Sequence, residues 1–235
     1  MNKLLVGAAL LAAMSGTANA GEISGNIALT SDYIFRGVSL ADNGPAVQGG
    51  FDYAHDIFYA GIWGSNVSEG IEIDVYGGVA PQFTEQLSGD FGVIGYFYPG
   101  ADDDDAEFDY FEAKAALDFA ATERFSFGGA VYWSPENFGD TGDALYLEVN
   151  SGFAINDMFA LSGAYGNQNI EAPNGPDSED DYNTWNFGGT LALHGFEFDV
   201  RYHDTDIEEG SDIENYTFGP DSYDAAVVAT ISREL

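Results

Sequence analysis

The stretch Ile71-Glu72-Ile73-Asp74-Val75-Tyr76-Gly77 decides the fold. In an extended chain successive side chains point to opposite sides, so Ile71, Ile73 and Val75 share one face while Glu72, Asp74 and Tyr76 share the other. The same period of two returns in Phe196-Glu197-Phe198-Asp199-Val200-Arg201-Tyr202-His203, in Leu145-Tyr146-Leu147-Glu148-Val149-Asn150 and in the run from Tyr223 to Ile231. Each apolar face carries large or β-branched side chains, which suit a pleated sheet. Helical spacing is nowhere sustained after residue 22.

Working outward, the alternation predicts about twelve strands, near 22–36, 45–54, 57–65, 70–80, 88–98, 108–119, 124–134, 144–154, 157–166, 182–193, 196–204 and 222–233. Ten and fourteen strands are the alternatives. The connections alternate in length. Ala54-His55-Asp56, Ala120 to Glu123, Ile155-Asn156-Asp157 and His194-Gly195 are short. Val38 to Gly44, Gly100 to Glu107, Pro135 to Asp143, Asn167 to Asp181 and Thr205 to Asp221 are longer and mostly acidic. Short turns on one rim and long loops on the other are the habit of outer-membrane barrels. Two connections depart from it: Ser65 to Glu69 is short for its side and Pro81 to Leu87 is long for the other.

The first twenty residues stand apart. Lys3, the apolar run Leu4 to Met14 and the closing Ala18-Asn19-Ala20 have the layout of a secretory signal peptide cleaved after Ala20. The rival, an N-terminal membrane anchor, needs about 18–20 apolar residues, more than this run supplies. Residues 21–235 carry no linker or composition break and read as one domain. Asp, Glu, Asn or Gly interrupts every other apolar stretch, so a chain of this kind crosses a membrane only as a barrel.

The chain has no cysteine, which excludes disulfide scaffolds, thiolate metal sites and thiol nucleophiles. Its formal charge is −34, and removal of Lys3 with the signal leaves Arg36, Lys114, Arg124, Arg201 and Arg233 as the only Lys or Arg residues. Five scattered cations make no basic patch, so nucleic acid is excluded as a partner. The acidity reads either as adaptation to a salty habitat or as a means of attracting cations.

The expected fold is therefore all-β: a transmembrane antiparallel up-and-down β-barrel. A soluble β-sandwich or a lipocalin-type barrel also alternates apolar and polar positions. The two cases differ in which face is dry, and alternation by itself does not say which face is inside. The signal peptide, the even strand number, the loop asymmetry and an aromatic content of 15% favour the membrane barrel.

Ser31-Asp32-Tyr33-Ile34-Phe35-Arg36-Gly37-Val38-Ser39, then Pro45 to Tyr53 and Phe58 to Val67, resemble the TorF family of bacterial outer-membrane proteins. The similarity is sharp over residues 31–80 and persists as strand rhythm to the C-terminus. It implies an outer-membrane barrel that passes small solutes, and it brings no catalytic residues with it. One departure concerns assembly: the chain ends Ile231-Ser232-Arg233-Glu234-Leu235, without the terminal aromatic residue common in such barrels.

Parity places Asp32, Arg36, Glu72, Asp74, Glu112, Lys114, Glu148, Glu197, Asp199, Arg201 and Asp224 on the inner face. In a wet interior that set concentrates cations and excludes anions. In a plugged interior, Arg36, Lys114 and Arg201 instead pair with carboxylates across the lumen and stiffen it. A twelve-stranded barrel lies between the side-chain-filled eight-stranded case and the aqueous sixteen-stranded one. Asp102, Asp103, Asp104 and Asp105 with Glu107 invite a calcium reading, but adjacent acids are not a spaced ligand loop, and a solvated loop is the plainer reading. His55 and His194 fall in short turns and His203 on an inner parity. With no G-x-S-x-G elbow, no catalytic role is assigned. Trp63, Trp133, Trp185, Tyr53, Phe97 and Tyr98 read as interfacial girdle residues, with sugar stacking as the sharper alternative.

The expected function is that of an outer-membrane channel for passive diffusion of small solutes or cations, without cofactor or catalysis. Its expected surroundings are lipid and lipopolysaccharide, and barrel-assembly machinery during biogenesis. A plugged structural barrel with acidic, cation-binding surface loops is the alternative.

Overall fold

The computed structural model describes residues 21–68, 70–100, 108–173, 180–217 and 220–235. Residues 1–20, read above as a signal peptide, and the acidic run 102–105 with Glu107 lie outside them. Among the described residues twelve strands close into an antiparallel barrel: β1 (Glu22–Thr30), β4 (Ala46–His55), β5 (Phe58–Val67), β6 (Gly70–Val79), β7 (Leu87–Phe97), β8 (Tyr110–Ala120), β9 (Phe125–Ser134), β10 (Ala144–Ala154), β11 (Phe159–Ile170), β12 (Asp180–Leu193), β13 (Phe196–Thr205) and β14 (Ala226–Glu234). Each strand pairs with its neighbour in sequence, and β1 pairs with β14 to close the ring, Thr30 opposite Thr230 and Asn26 opposite Glu234.

The register settles which face is dry. Outward-pointing Val149 is 61% exposed and Val47 58%, whereas inward-pointing Glu72 is 1% and Glu112 2% exposed. Ile23, Phe51, Ile62, Ile71, Val75, Phe111, Leu147, Phe187, Val200 and Val227 continue the exposed apolar surface around the wall. A water-facing domain rarely carries a continuous apolar band of this kind, and hydrocarbon accommodates it. The soluble-barrel alternative, with its apolar side inward, is thereby excluded.

Short turns join the strands on the rim that also carries Glu22 and Glu234, and longer connections occupy the opposite rim. Both connections that fit the length rule poorly keep their expected sides. The β5–β6 link remains on the long-loop rim, and the β6–β7 link carries a Gln82–Ser88 bridge on the short-turn rim.

One expected strand is wrong in a way that matters. The segment read as strand to residue 36 leaves the wall after Thr30, whose hydroxyl donates to the Asp32 carbonyl at 2.7 Å. Residues 31–45 turn into the barrel and form a small hairpin, β2 (Ile34–Phe35) and β3 (Val38–Ser39), with Phe35 opposite Val38. Asp32 and Arg36 are therefore not on the first strand. At the other end β14 begins at Ala226, so Asp224, expected on the inner face of that strand, lies before it and is exposed.

Among the described residues the apolar core consists of two clusters, both built on this hairpin. Tyr33, Leu40 and Ala41 pack with Ala46 and Trp63 on one side of the lumen. Val38 packs with Ala144, Ile170 and Tyr182 of the opposite wall and with Ile213 and Tyr223 of the β13–β14 connection. The hairpin thus spans the lumen.

Candidate functional site

The hairpin turns on Arg36 and Gly37, both with positive φ, 49° and 88°. These are the signs of a two-residue type I′ turn, whose twist matches that of the flanking strands. Arg36 holds this backbone without a glycine's freedom, and its side chain accounts for the arrangement. Its Nη1 and Nη2 donate to Glu112 Oε1 and Oε2 at 2.7 and 2.8 Å, and Nη1 also donates to Gln168 Oε1 at 2.9 Å. The guanidinium carbon lies 4.4 Å from the centre of the Tyr146 ring, 5.1 Å from Tyr132 and 4.7 Å from Phe35. A forked donor against both oxygens of a carboxylate, flanked by aromatic faces, is the strongest arrangement open to an arginine. Loss of hydration works against the charge of Arg36, but Glu112 more than offsets it and pushes the guanidinium pKa up.

A second tether lies on the near wall. The Tyr33 hydroxyl donates to Glu72 Oε1 at 2.6 Å, and Tyr98, from the long-loop rim, donates to Glu72 Oε2 at 2.6 Å. Burial, with the charges of Glu72 and Asp74, pushes the Tyr33 phenol well above its usual range, so it remains a donor. Ser39 donates to Asp32 Oδ1 at 2.7 Å and ties the base of the hairpin. Burial pushes the Asp32 carboxyl up, against the Ser39 and Tyr33 hydrogen bonds that favour its charge. The Ser68 N–H donates to the Leu40 carbonyl at 2.7 Å, fixing the return path at the rim.

Below the hairpin the inner face changes character. Asp52, Asp90, Glu148, Asn150 and Asp199 are partly exposed, among small residues such as Gly61, Gly92, Ala116, Gly128 and Ala164. Lys114 Nζ contacts Asp90 Oδ2 at 2.5 Å, and Arg201 Nη2 contacts Asp199 Oδ2 at 3.1 Å. Arg201 also donates to Asn186 Oδ1 and Ser162 Oγ, both at 2.8 Å. Tyr59 and Tyr76 donate to Asp90 and Asp52 at 2.6 Å each.

Of the residues singled out in the sequence, Glu72, Asp74 and Glu112 meet beneath and beside the hairpin. Glu148, Asp199 and Arg201 line the accessible half, while the Lys114 side chain points inward but is buried against Asp90. Glu197 is exposed at the short-turn rim. Asp74 is buried, and its Oδ1 has no hydrogen-bond partner among the described residues. Trp63 and Tyr98 are not girdle residues: Trp63 is buried against Tyr33, with ring centres 5.6 Å apart, and Tyr98 caps Glu72. Trp133 does face outward, bonded to Asp143 at 2.6 Å. Sequence reasoning passed over Tyr33, Tyr96, Tyr132, Tyr146 and Gln168. Inner parity marks Tyr96, Tyr132 and Tyr146; Gln168 fell in the connection expected from Asn167 to Asp181, whereas β11 runs on to Ile170, and only the hairpin reveals Tyr33.

A family profile described as "Bacterial protein of unknown function (Gcw_chp)" matches residues 14–235. The chain belongs to this family. No curated protein matches this Gcw_chp member in sequence. Among solved structures it is similar to the NanC porin in its rhombohedral crystal form, at 10% identity and a TM-score of 0.56, covering 90% of this chain and 98% of that one. A protein from a study of in-meso crystallization of membrane proteins is similar at 7% identity and a TM-score of 0.55, covering 91% of this chain and 83% of that one. At such identities the likeness is one of fold.

Proposed function

We propose that this Gcw_chp protein is an outer-membrane channel for passive diffusion of small solutes, with a preference for cations, and that the docked hairpin is its closed state. The observation that carries this reading is the accessible, acidic half-lumen beneath a hairpin that is not part of the wall. A purely structural barrel of this size has no need of a polar interior lined by glycine and alanine. The apolar outer band and the signal-like N-terminus support a location in the outer membrane; on this reading lipid and lipopolysaccharide surround the barrel and the barrel-assembly machinery delivers it. The short-turn rim then faces the periplasm. The NanC protein, a porin by its printed name, shares the fold and lends support.

Carboxylates outnumber cations along the accessible half, so cations are concentrated there and anions repelled. A second reading, a permanently plugged barrel, draws on the burial of Arg36 and Glu112, with side chains 8% and 2% exposed.

Single-channel conductance under a salt gradient separates the two. The mature barrel is compared with a variant in which residues 31–45 become an Asn-Gly turn between the register partners Thr30 and Ala46. The expected result is a small, intermittent current in the native barrel and a large cation-selective current in the variant. A folded variant that carries no current overturns the channel reading in favour of the plug.

A further inference from the structure

The partner of Arg36 is a complete receptor for a guanidinium group, and every part of it apart from Phe35 belongs to the barrel wall. Glu112 comes from β8, Tyr132 from β9, Tyr146 from β10 and Gln168 from β11. Tyr96, from β7, donates to Glu112 Oε2 at 3.0 Å and fixes the plane of the carboxylate. The guanidinium meets two carboxylate oxygens, one amide oxygen and two tyrosine faces from the wall.

We propose that Glu112, Gln168, Tyr132 and Tyr146 form a binding site for small guanidinium-bearing solutes, and that Arg36 occupies it as a tethered copy of the solute. Holding a hairpin in place does not require such a set. Well-packed apolar side chains serve as well as a buried ion pair and often better. The planar fork and the stacked rings select guanidinium over a simple ammonium, which offers a point charge and no plane. The other two ion-paired lumen cations differ in origin: Lys114 and Arg201 grow from the wall strands themselves, while Arg36 is carried in from a loop.

A solute that takes the site must displace Arg36, and with it the hairpin tip. The coupling is reciprocal, so an absent Arg36 tightens solute binding as much as a bound solute loosens the hairpin. A short tether gives Arg36 an effective concentration on the order of millimolar. Solutes compete only when they reach comparable levels, which the acidic lumen promotes. The gating consequence rests on the channel reading above; the binding site does not.

The experiment uses the refolded Arg36→Ala barrel and ethylguanidinium, which replaces the deleted atoms, with neutral ethylurea as control. Titration calorimetry is expected to give one-to-one uptake of ethylguanidinium and none of ethylurea. Uptake is expected to vanish in the Arg36→Ala/Glu112→Gln double variant and to weaken about tenfold or more when Arg36 is present. In planar bilayers ethylguanidinium is expected to close the Arg36→Ala channel. If Arg36→Ala does not fold, judged by heat-modifiable gel mobility, the hairpin-less barrel with its Asn-Gly turn keeps the four wall residues and takes its place. A folded barrel that takes up no ethylguanidinium, or takes up ethylurea equally, reduces the site to an anchor and overturns the proposal. Binding without any current keeps the site and removes the channel.

Discussion

Two arginines in one lumen are held very differently. In the long-loop half, Arg36 and Glu112 have side chains 8% and 2% exposed; in the short-turn half, Arg201 and Asp199 are 15% and 24% exposed. The first arginine is brought in from a loop, sealed among rings, and is part of what closes the lumen. The second belongs to the wall and remains wet. On the channel reading, closure and permeation then belong to different halves of one barrel, and a change in one half should leave the other largely untouched.

The largest expected effect tests that division directly. Arg36→Ala leaves Glu112 buried without its cation, which costs about 3–5 kcal/mol. Arg201→Ala, at a partly exposed pair, costs about 1 kcal/mol or less. Urea unfolding of the two variants in lipid vesicles checks this, and equal losses would erase the distinction between the halves. Next comes Gly37→Val. A Cβ there would overlap the side chains of Thr184 and Thr205, and a β-branched residue resists the positive φ. The expected cost is about 2–3 kcal/mol, seen as undocking. Since the Arg36–Gly37 bond is a trypsin site, the variant should be cut there while the native barrel resists.

Tyr33→Phe removes one of two donors to Glu72 and keeps Tyr98. A loss of about 1.5 kcal/mol is expected, measured by the same unfolding. The smallest change in stability is at Asp118→Asn, an exposed inner-face position of the short-turn half. Stability should hold within about 0.5 kcal/mol, while the reversal potential of the hairpin-less channel moves toward zero as cation preference falls. A stability loss at Asp118 comparable to that at Tyr33 would show that the lower half is as tightly built as the upper.

The wall was legible in the sequence because a period of two survives translation into structure residue by residue. Glu72, Asp74, Glu112, Lys114, Glu148, Asp199 and Arg201 all point inward as their parity requires. The hairpin was not legible, because charged Asp32 and Arg36 share one parity and aromatic Tyr33 and Phe35 the other, just as in a wall strand. Alternation records a strand's two faces and not the sheet to which it pairs. The available clue was local: the apolar pair Ile34-Phe35 and the β-branched Val38 stand on either side of two residues ending in glycine. Trp63 was misplaced for a different reason. Its position near a strand end suggested a girdle, while its parity with Gly61 and Ser65 already pointed inward. The four wall groups around Arg36 come from separate strands, and their convergence depends on ring closure, which no local pattern encodes.

The pairing of Thr30 with Ala46 has a consequence for how the molecule is made and altered. The hydrogen-bond ladder between β1 and β4 is complete without the excursion that separates them, so residues 31–45 are a removable cassette on a finished cylinder. Assembly then has a natural last step, the entry of the cassette into a ring already shut. On the channel reading, sequence change within it alters what the cylinder admits while the β1–β4 ladder stays as it is.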